Sequence, residues 1–331
     1  MGQLTYLQSL RESLYELLKQ PEVYLLGEDI QEPYGGAFKV SKGLSDSFPM
    51  KLISTPMSEQ AFTGLAVGMA LAGLKPIVEI MFGDFITLSL DQILNHASKF
   101  CWGFDKKINL LIRTPMGGYR GYGPTHSQSL EKLYFGLPNV YVIAPSVVDD
   151  PGNLLTNSLD IGKPVLFIEN KLDYTRKLFI NSKNFNLYQL EIKGDSLFPL
   201  TSVSFIGEND EPLTLITYGG MVAPSIELQH QLYINNEIAT RLICICSLSP
   251  LDFDTLFEMV KNDKFILTIE EGHIPFGFGD AILSQIYQRG YRNEALTIGA
   301  RNQVIGAAEA YEKQTLPDFS IIENIIKSKL L

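Results

Sequence analysis

Cysteine, histidine and tryptophan are scarce, at three, four and one among 331 residues. Three cysteines form no even disulfide framework, which excludes the small stapled secreted scaffold. Cys244 and Cys246 lie two apart in the strand-like run TRLICICS, so alternation predicts that they face one side. Without a second Cys or His pair they make a poor zinc site, and reduced structural thiols are the expectation. A basic surplus is also missing. Lys and Arg number 27 against 37 acids, for a net charge of −10, so nothing meets a phosphate backbone and nucleic acid is excluded as a partner. No apolar run reaches membrane length, because the longest, Ala61 to Leu74, is broken by Lys75-Pro76. The opening MGQLTYLQSLRESLYELLK has no charged-then-apolar signal layout and carries Glu12 and Glu16. A soluble cytoplasmic protein with no membrane contact is expected. Walker A, zinc-signature and nucleophile-elbow sequences are absent. So is any Gly-Asp-Gly followed by a downstream Asn pair.

What is present describes a folded enzyme-sized chain. Hydrophobic content of 45% with 19% charged residues belongs to globular proteins, and the length calls for two domains. Leu7, Leu10, Leu14, Leu17 and Leu18 mark one helix face ending before Pro21. Short apolar strands then alternate with helices: VYLL, LI, PIVEIM, INLLI, VYVIA and PVLFIE. That pattern predicts an α/β fold with a doubly wound parallel sheet over residues 1–180. Polar text from 181 to 211 reads as a connection. The strands LTLITY, RLICIC and FILTIE, with helices between them, predict a smaller α/β domain over 212–331. In such sheets ligands bind at strand carboxyl ends, where the GED, TPMSE, MFGDF and HSQ segments all fall.

The stretch from 54 to 85 holds the best candidates. Glu59 opens a helix, and Phe82 and Phe85 follow the next strand. A carboxylate and an aromatic so placed could clasp a flat heterocycle. Each has a blander reading. An acid in a first helical turn partners the helix dipole, worth under about 1 kcal/mol, and aromatics after a buried strand usually pack in the core. Gly64, Gly68 and Ala72 recur every fourth residue, a face that admits close approach by another subunit. His126 sits in the glycine-rich loop RTPMGGYRGYGPTHSQS. There it is either a surface hydrogen-bonding residue or a general acid/base and anion partner. Loops of that length are functional or mobile.

The ordered set GEDI…GGAFKV, STPMSEQAFTGLAVGMALAG, PIVEIMFGDF, DQILNHASK, RTPMGG…GPTHSQSLE and PVLFIENKL closely resembles one family. It is the β subunit of the decarboxylating component of thiamine-diphosphate-dependent 2-oxo acid dehydrogenases, of the pyruvate or branched-chain type and akin to transketolase. TLITYGGMV, LSPLD and IEEGH…GFGDAI resemble the family's second domain. The resemblance implies a pyrimidine-binding transketolase-like domain followed by a transketolase C-terminal-like domain. It implies that Glu59 hydrogen-bonds N1′ of the cofactor's aminopyrimidine, that Phe85 packs on that ring, and that Met57 and Met81 line it. By the same resemblance His126 would lie over the thiazolium and serve the substrate carboxylate or acyl transfer, while Glu28 matches the acid of the GED turn near the path between active sites. The resemblance also implies that the diphosphate and Mg2+ belong to a separate α subunit, so an α2β2 heterotetramer and a lipoyl-bearing acyltransferase are the implied partners of a 2-oxo acid dehydrogenase. Relatives acting on acetoin, or joining carbon units as transketolases do, are the alternative, and a non-catalytic scaffold a more distant one. Two departures stand out. SLDIGKP has Ile161 and Lys163 where an acid and an Asn are common beside a monovalent cation, and RNQVIGAAEAYEKQTLP lacks the family's Pro-x-Pro-Tyr run.

Overall fold

The computed structural model describes residues 4–207 and 213–330. Residues 1–3 of the first expected domain, 208–211 of the expected connection, and 212 and 331 of the second expected domain lie outside that range. In the first half the strands are β1 (Val23–Gly27), β2 (Leu52–Ser54), β3 (Lys75–Glu79), β4 (Leu111–Met116), β5 (Tyr141–Ile143) and β6 (Val165–Asn170). In the second they are β7 (Tyr188–Lys193), β8 (Leu200–Phe205), β9 (Leu213–Tyr218), β10 (Arg241–Ile245), β11 (Ser247–Ser249), β12 (Phe265–His273) and β13 (Glu294–Ala300).

Two sheets result, ordered β11-β5-β6-β4-β3-β1-β2 and β13-β12-β9-β10-β8-β7. The first is parallel throughout β1–β6, and β4 and β6 are buried along their whole length, as helices on both faces require. One face is covered by the helices Tyr6–Leu18 and Pro151–Leu159, which meet where Ser9 Oγ donates to Asp150 Oδ1 at 2.5 Å. The first of these helices starts at a Thr5–Gln8 capping box. The winding of the sheet reverses between the parallel neighbours β1 and β3: β1 leads outward to β2, whereas β3 leads to β4 on the other side. The crevice at the carboxyl ends of these strands is therefore the topological switch point, where α/β sheets take ligands.

The connection expected over 181–211 carries structure. β7 and β8 pair antiparallel and extend the second sheet. β7 is an edge strand exposed along most of its length, and β8 buries Thr201, Ser202 and Ser204, so neither has an apolar signature. Nor are the halves independent: one apolar cluster includes Val78 and Ile112 from the first sheet with Ile216, Ile243 and Ile266 from the second. β11 also crosses over to pair antiparallel with β5. Cys244 and Cys246 pack in different cores. Cys246 lies just past the end of β10, where strand alternation no longer applies.

Candidate active site

Each motif meets the first sheet at its carboxyl edge. Glu28 follows β1, Glu59 opens the helix Glu59–Leu71 after β2, Phe82 and Phe85 follow β3, and His126 lies in the loop after β4. The short helical turn Gly83–Ser89 ties two of these together, since Ser89 Oγ donates to the Glu59 carbonyl at 3.1 Å and shares a 2.8 Å hydrogen bond with Thr63 Oγ1. Glu28 is buried, and its Oε1 has no hydrogen-bond partner. Burial first, then the Glu59 and Asp29 carboxylates, raise the Glu28 pKa. The Glu59 carboxylate is thus near enough to disfavour a charge on Glu28.

The aromatics form one cluster with the histidine. The His126 ring lies 4.7 Å from Phe82 and 5.2 Å from Phe85, edge-on to both, and Phe82 also meets Phe38 at 5.4 Å. His126 Nδ1 is 2.9 Å from Thr125 Oγ1. Met81 is partly buried, while Met57 is 88% exposed, so in this chain alone Met57 has nothing to line. The helix face Gly64-Gly68-Ala72 divides. A Cβ at Gly64 would come within 3.0 Å of Gln92 Oε1 of the same chain, whereas Gly68 and Ala72 are exposed beside Leu65, itself 52% exposed.

The long loop between β4 and β5 is tethered at many points. Gln128 Nε2 donates to Asp84 Oδ1 at 2.7 Å, and Lys171 Nζ donates to the His126 carbonyl. The second domain holds the rest: Gly118 N donates to Glu271, Gly121 N to Glu312 Oε2 at 2.9 Å, and Tyr119 hydroxyl to the Pro317 carbonyl at 2.8 Å. The closing segment that departs from the family pattern thus supplies, through buried Glu312, an anchor for the His126 loop. Burial pulls Lys171 down to about 8, against the opposing pull of Asp84, Glu271 and Glu312. Its Nζ lies 5.3 Å from the Phe82 ring centre.

Beneath this edge lies a buried ionic group with no counterpart among the expected site residues. Arg113 of β4 is held between Glu79 of β3 and Glu169 of β6; its Nε donates to Glu169 Oε1 at 2.7 Å, and Tyr174 hydroxyl donates to Glu169 Oε2 at 2.6 Å. Burial raises Glu79, with Arg113 opposing. A Cβ at Gly36 would sit 2.6 Å from Glu79 Oε1, and its φ is +78°. Only glycine fits where the loop after β1 lies over this carboxylate.

Comparison with known proteins agrees with the architecture. The pyrimidine-binding domain of transketolase matches residues 3–177, and the transketolase C-terminal domain matches 205–322. The chain is 33% identical to the mitochondrial pyruvate dehydrogenase E1 component subunit beta of Saccharomyces cerevisiae, over 82% of this chain and 73% of that one. With the corresponding Rickettsia bellii subunit identity is 30% over 98% of each. It is 32% with the acetoin:2,6-dichlorophenolindophenol oxidoreductase subunit beta of Cupriavidus necator, over 83% and 81%. A solved split-gene transketolase, an inactive beta4 tetramer, shares the fold at a TM-score of 0.72 with 20% identity, over 99% of this chain and 98% of that one. The chain belongs to the transketolase-like family of β subunits of thiamine-diphosphate-dependent 2-oxo acid dehydrogenases.

Proposed function

We propose that this β subunit supplies the pyrimidine half of a thiamine diphosphate site and, with an α subunit, decarboxylates a 2-oxo acid oxidatively and passes the acyl group to a lipoyl group. One observation carries the reading: two carboxylates, Glu28 and Glu59, share the switch-point edge with a Phe82–Phe85–His126 ring cluster. The orphaned Oε1 of buried Glu28 fits a site whose remaining polar partner comes from a ligand. When bound, the cofactor provides a carbon nucleophile for the 2-oxo group and a ring that accepts electrons as carbon dioxide leaves.

On this reading Glu59 binds the pyrimidine N1′ and holds a proton there, with Glu28 behind it as a second proton carrier. Phe85 packs on the ring, with Met57 and Met81 lining it. His126, its backbone fixed by Lys171, meets the substrate carboxylate or the departing acyl group. The chain carries no Gly-Asp-Gly sequence, which supports assigning the diphosphate and Mg2+ to the α subunit in an α2β2 assembly. The exposed Met57, Leu65, Gly68 and Ala72 suit burial against another subunit. Three free thiols fit a cytoplasmic setting.

A Glu59→Gln subunit, assembled with its partner, tests the assignment. Carbon dioxide release is expected to fall by about 100-fold or more while the assembly elutes unchanged on size exclusion; wild-type turnover would remove Glu59 from the role. The acetoin relative and the altered closing segment favour one second reading, acetoin as substrate. It is checked by including acetoin, with a dye acceptor, in the same assay.

A further inference from the structure

Across residues 122–127, the middle of the His126 loop, one hydrogen bond among the described residues reaches the rest of the protein: Lys171 Nζ donates to the His126 carbonyl. The other bonds of that segment are local, from His126 N to the Gly123 carbonyl at 3.2 Å and between Thr125 Oγ1 and His126 Nδ1 at 2.9 Å. The tethers to Glu312 and Asp84 lie at either end, on Gly121 and Gln128. With no distant partner of its own, the imidazole takes its place from the backbone that carries it and from the Phe82 and Phe85 rings, 4.7 and 5.2 Å away. Lys171 reaches both supports, since its Nζ also lies 5.3 Å from the Phe82 ring centre. Its own main chain is fixed on the loop: the Lys171 N–H donates to the Met116 carbonyl and its carbonyl accepts from Arg120 Nη1, each at 3.3 Å.

Lysine is almost never fully buried without an ionic partner, yet Lys171 is 1% exposed. Asp84, Glu271 and Glu312 favour its charge from the turn after β3, from β12 and from the helix Glu309–Thr315, while Arg120 opposes it from the loop. None of these carboxylates makes an ion pair with it among the described residues, and burial outweighs their pull. An amine in that place costs the fold more than a methionine of similar length would. What the amine gains is one acceptor, the carbonyl of the loop's histidine.

We propose that Lys171 is the positioning residue for His126, its amine holding the His126 carbonyl and the Phe82 ring so that the imidazole keeps its place at the site edge; the assignment rests on the role given to His126 above. Two experiments test it. In the first, carbon dioxide release from a panel of 2-oxo acids is measured for Lys171→Met, His126→Ala and the double variant, each assembled with the α partner. Lys171→Met is expected to lower kcat about tenfold, but to cost less than about twofold once His126 is already alanine. In the second, the full chain alone carries carbon-13 in its histidine rings. There are four histidines, and the signal that His126→Ala removes belongs to His126. In Lys171→Met that signal moves toward the position of a histidine in unfolded chain, as the ring leaves Phe82 and Phe85, while the melting temperature does not fall. Equal losses of kcat in both backgrounds, an unchanged kcat, an unmoved ring signal, or a lowered melting temperature would each overturn the proposal. If no 2-oxo acid loses carbon dioxide in the wild-type assembly, the proposed function falls instead, and the ring signal alone decides whether Lys171 places His126.

Discussion

Arg113 shows how much of the site rests on a buried residue outside the Glu59, Phe85 and His126 group. Its guanidinium joins three neighbouring strands through Glu79 and Glu169, directly beneath the turn that carries Glu28. A buried ion pair contributes little net stability against apolar packing, but removing one partner leaves the other charge stranded. Arg113→Met strands two carboxylates and is expected to destabilise the fold by about 3–5 kcal/mol, measured by urea unfolding. A loss below about 1 kcal/mol would mean that the carboxylates find other partners or carry protons. Sequence could not have revealed this group, because Glu79, Arg113 and Glu169 are distant along the chain and each sits within an apolar strand. By contrast the places of Glu59, Phe85 and His126 at the carboxyl edge of the sheet were legible, since each belongs to a local motif at the end of a strand. Lys171 stood in plain view within PVLFIENKL, yet its hydrogen bond to the His126 carbonyl exists only once β4 and β6 are neighbours.

Among the elements, β12 and the His126 loop depend on each other. Glu271 accepts from Gly118 N and, at 3.0 Å, from Asn170 Nδ2, so a strand of the second domain holds a loop of the first. The long glycine-rich loop could be read from sequence as functional or mobile; what could not be read is that Glu271 and Glu312 pin it. Burial pushes Glu271 up to about 7, partly offset by the Gly118 N–H, and Asp173 likewise up to about 7, partly offset by Arg176. Unfolded carboxylates titrate near about 4. The folded state therefore binds these protons more tightly, and the stability they contribute is full below about pH 4 and lost as pH rises through about 7. Unfolding midpoints between pH 5 and 8 should fall more steeply for wild type than for Glu271→Gln. Parallel profiles would show that Glu271 is ionised throughout that range. β7 and β8 read as a connection for a related reason: an exposed edge strand and a Ser/Thr-rich buried one have no apolar pattern, and β8 takes its place by pairing with β10 and β7 by pairing with β8.

The whole molecule is two α/β sheets sharing an apolar core, with the site motifs gathered at one edge of the first. The parallel sheet was legible because strands buried on both faces are nearly continuous apolar runs. The shared core was not, since it is made by contacts between distant halves. At that edge Met57 stands 88% exposed, and on the helix behind it Gly68 and Ala72 lie open, as half of a site would. On the proposed function this chain holds only the pyrimidine half. The direct measurement is carbon dioxide release from a panel of 2-oxo acids, with thiamine diphosphate and Mg2+ present, for the chain alone and after reconstitution with its α partner. At least about a 100-fold gain on adding the partner is predicted; full turnover by this chain alone would contradict the half-site proposal.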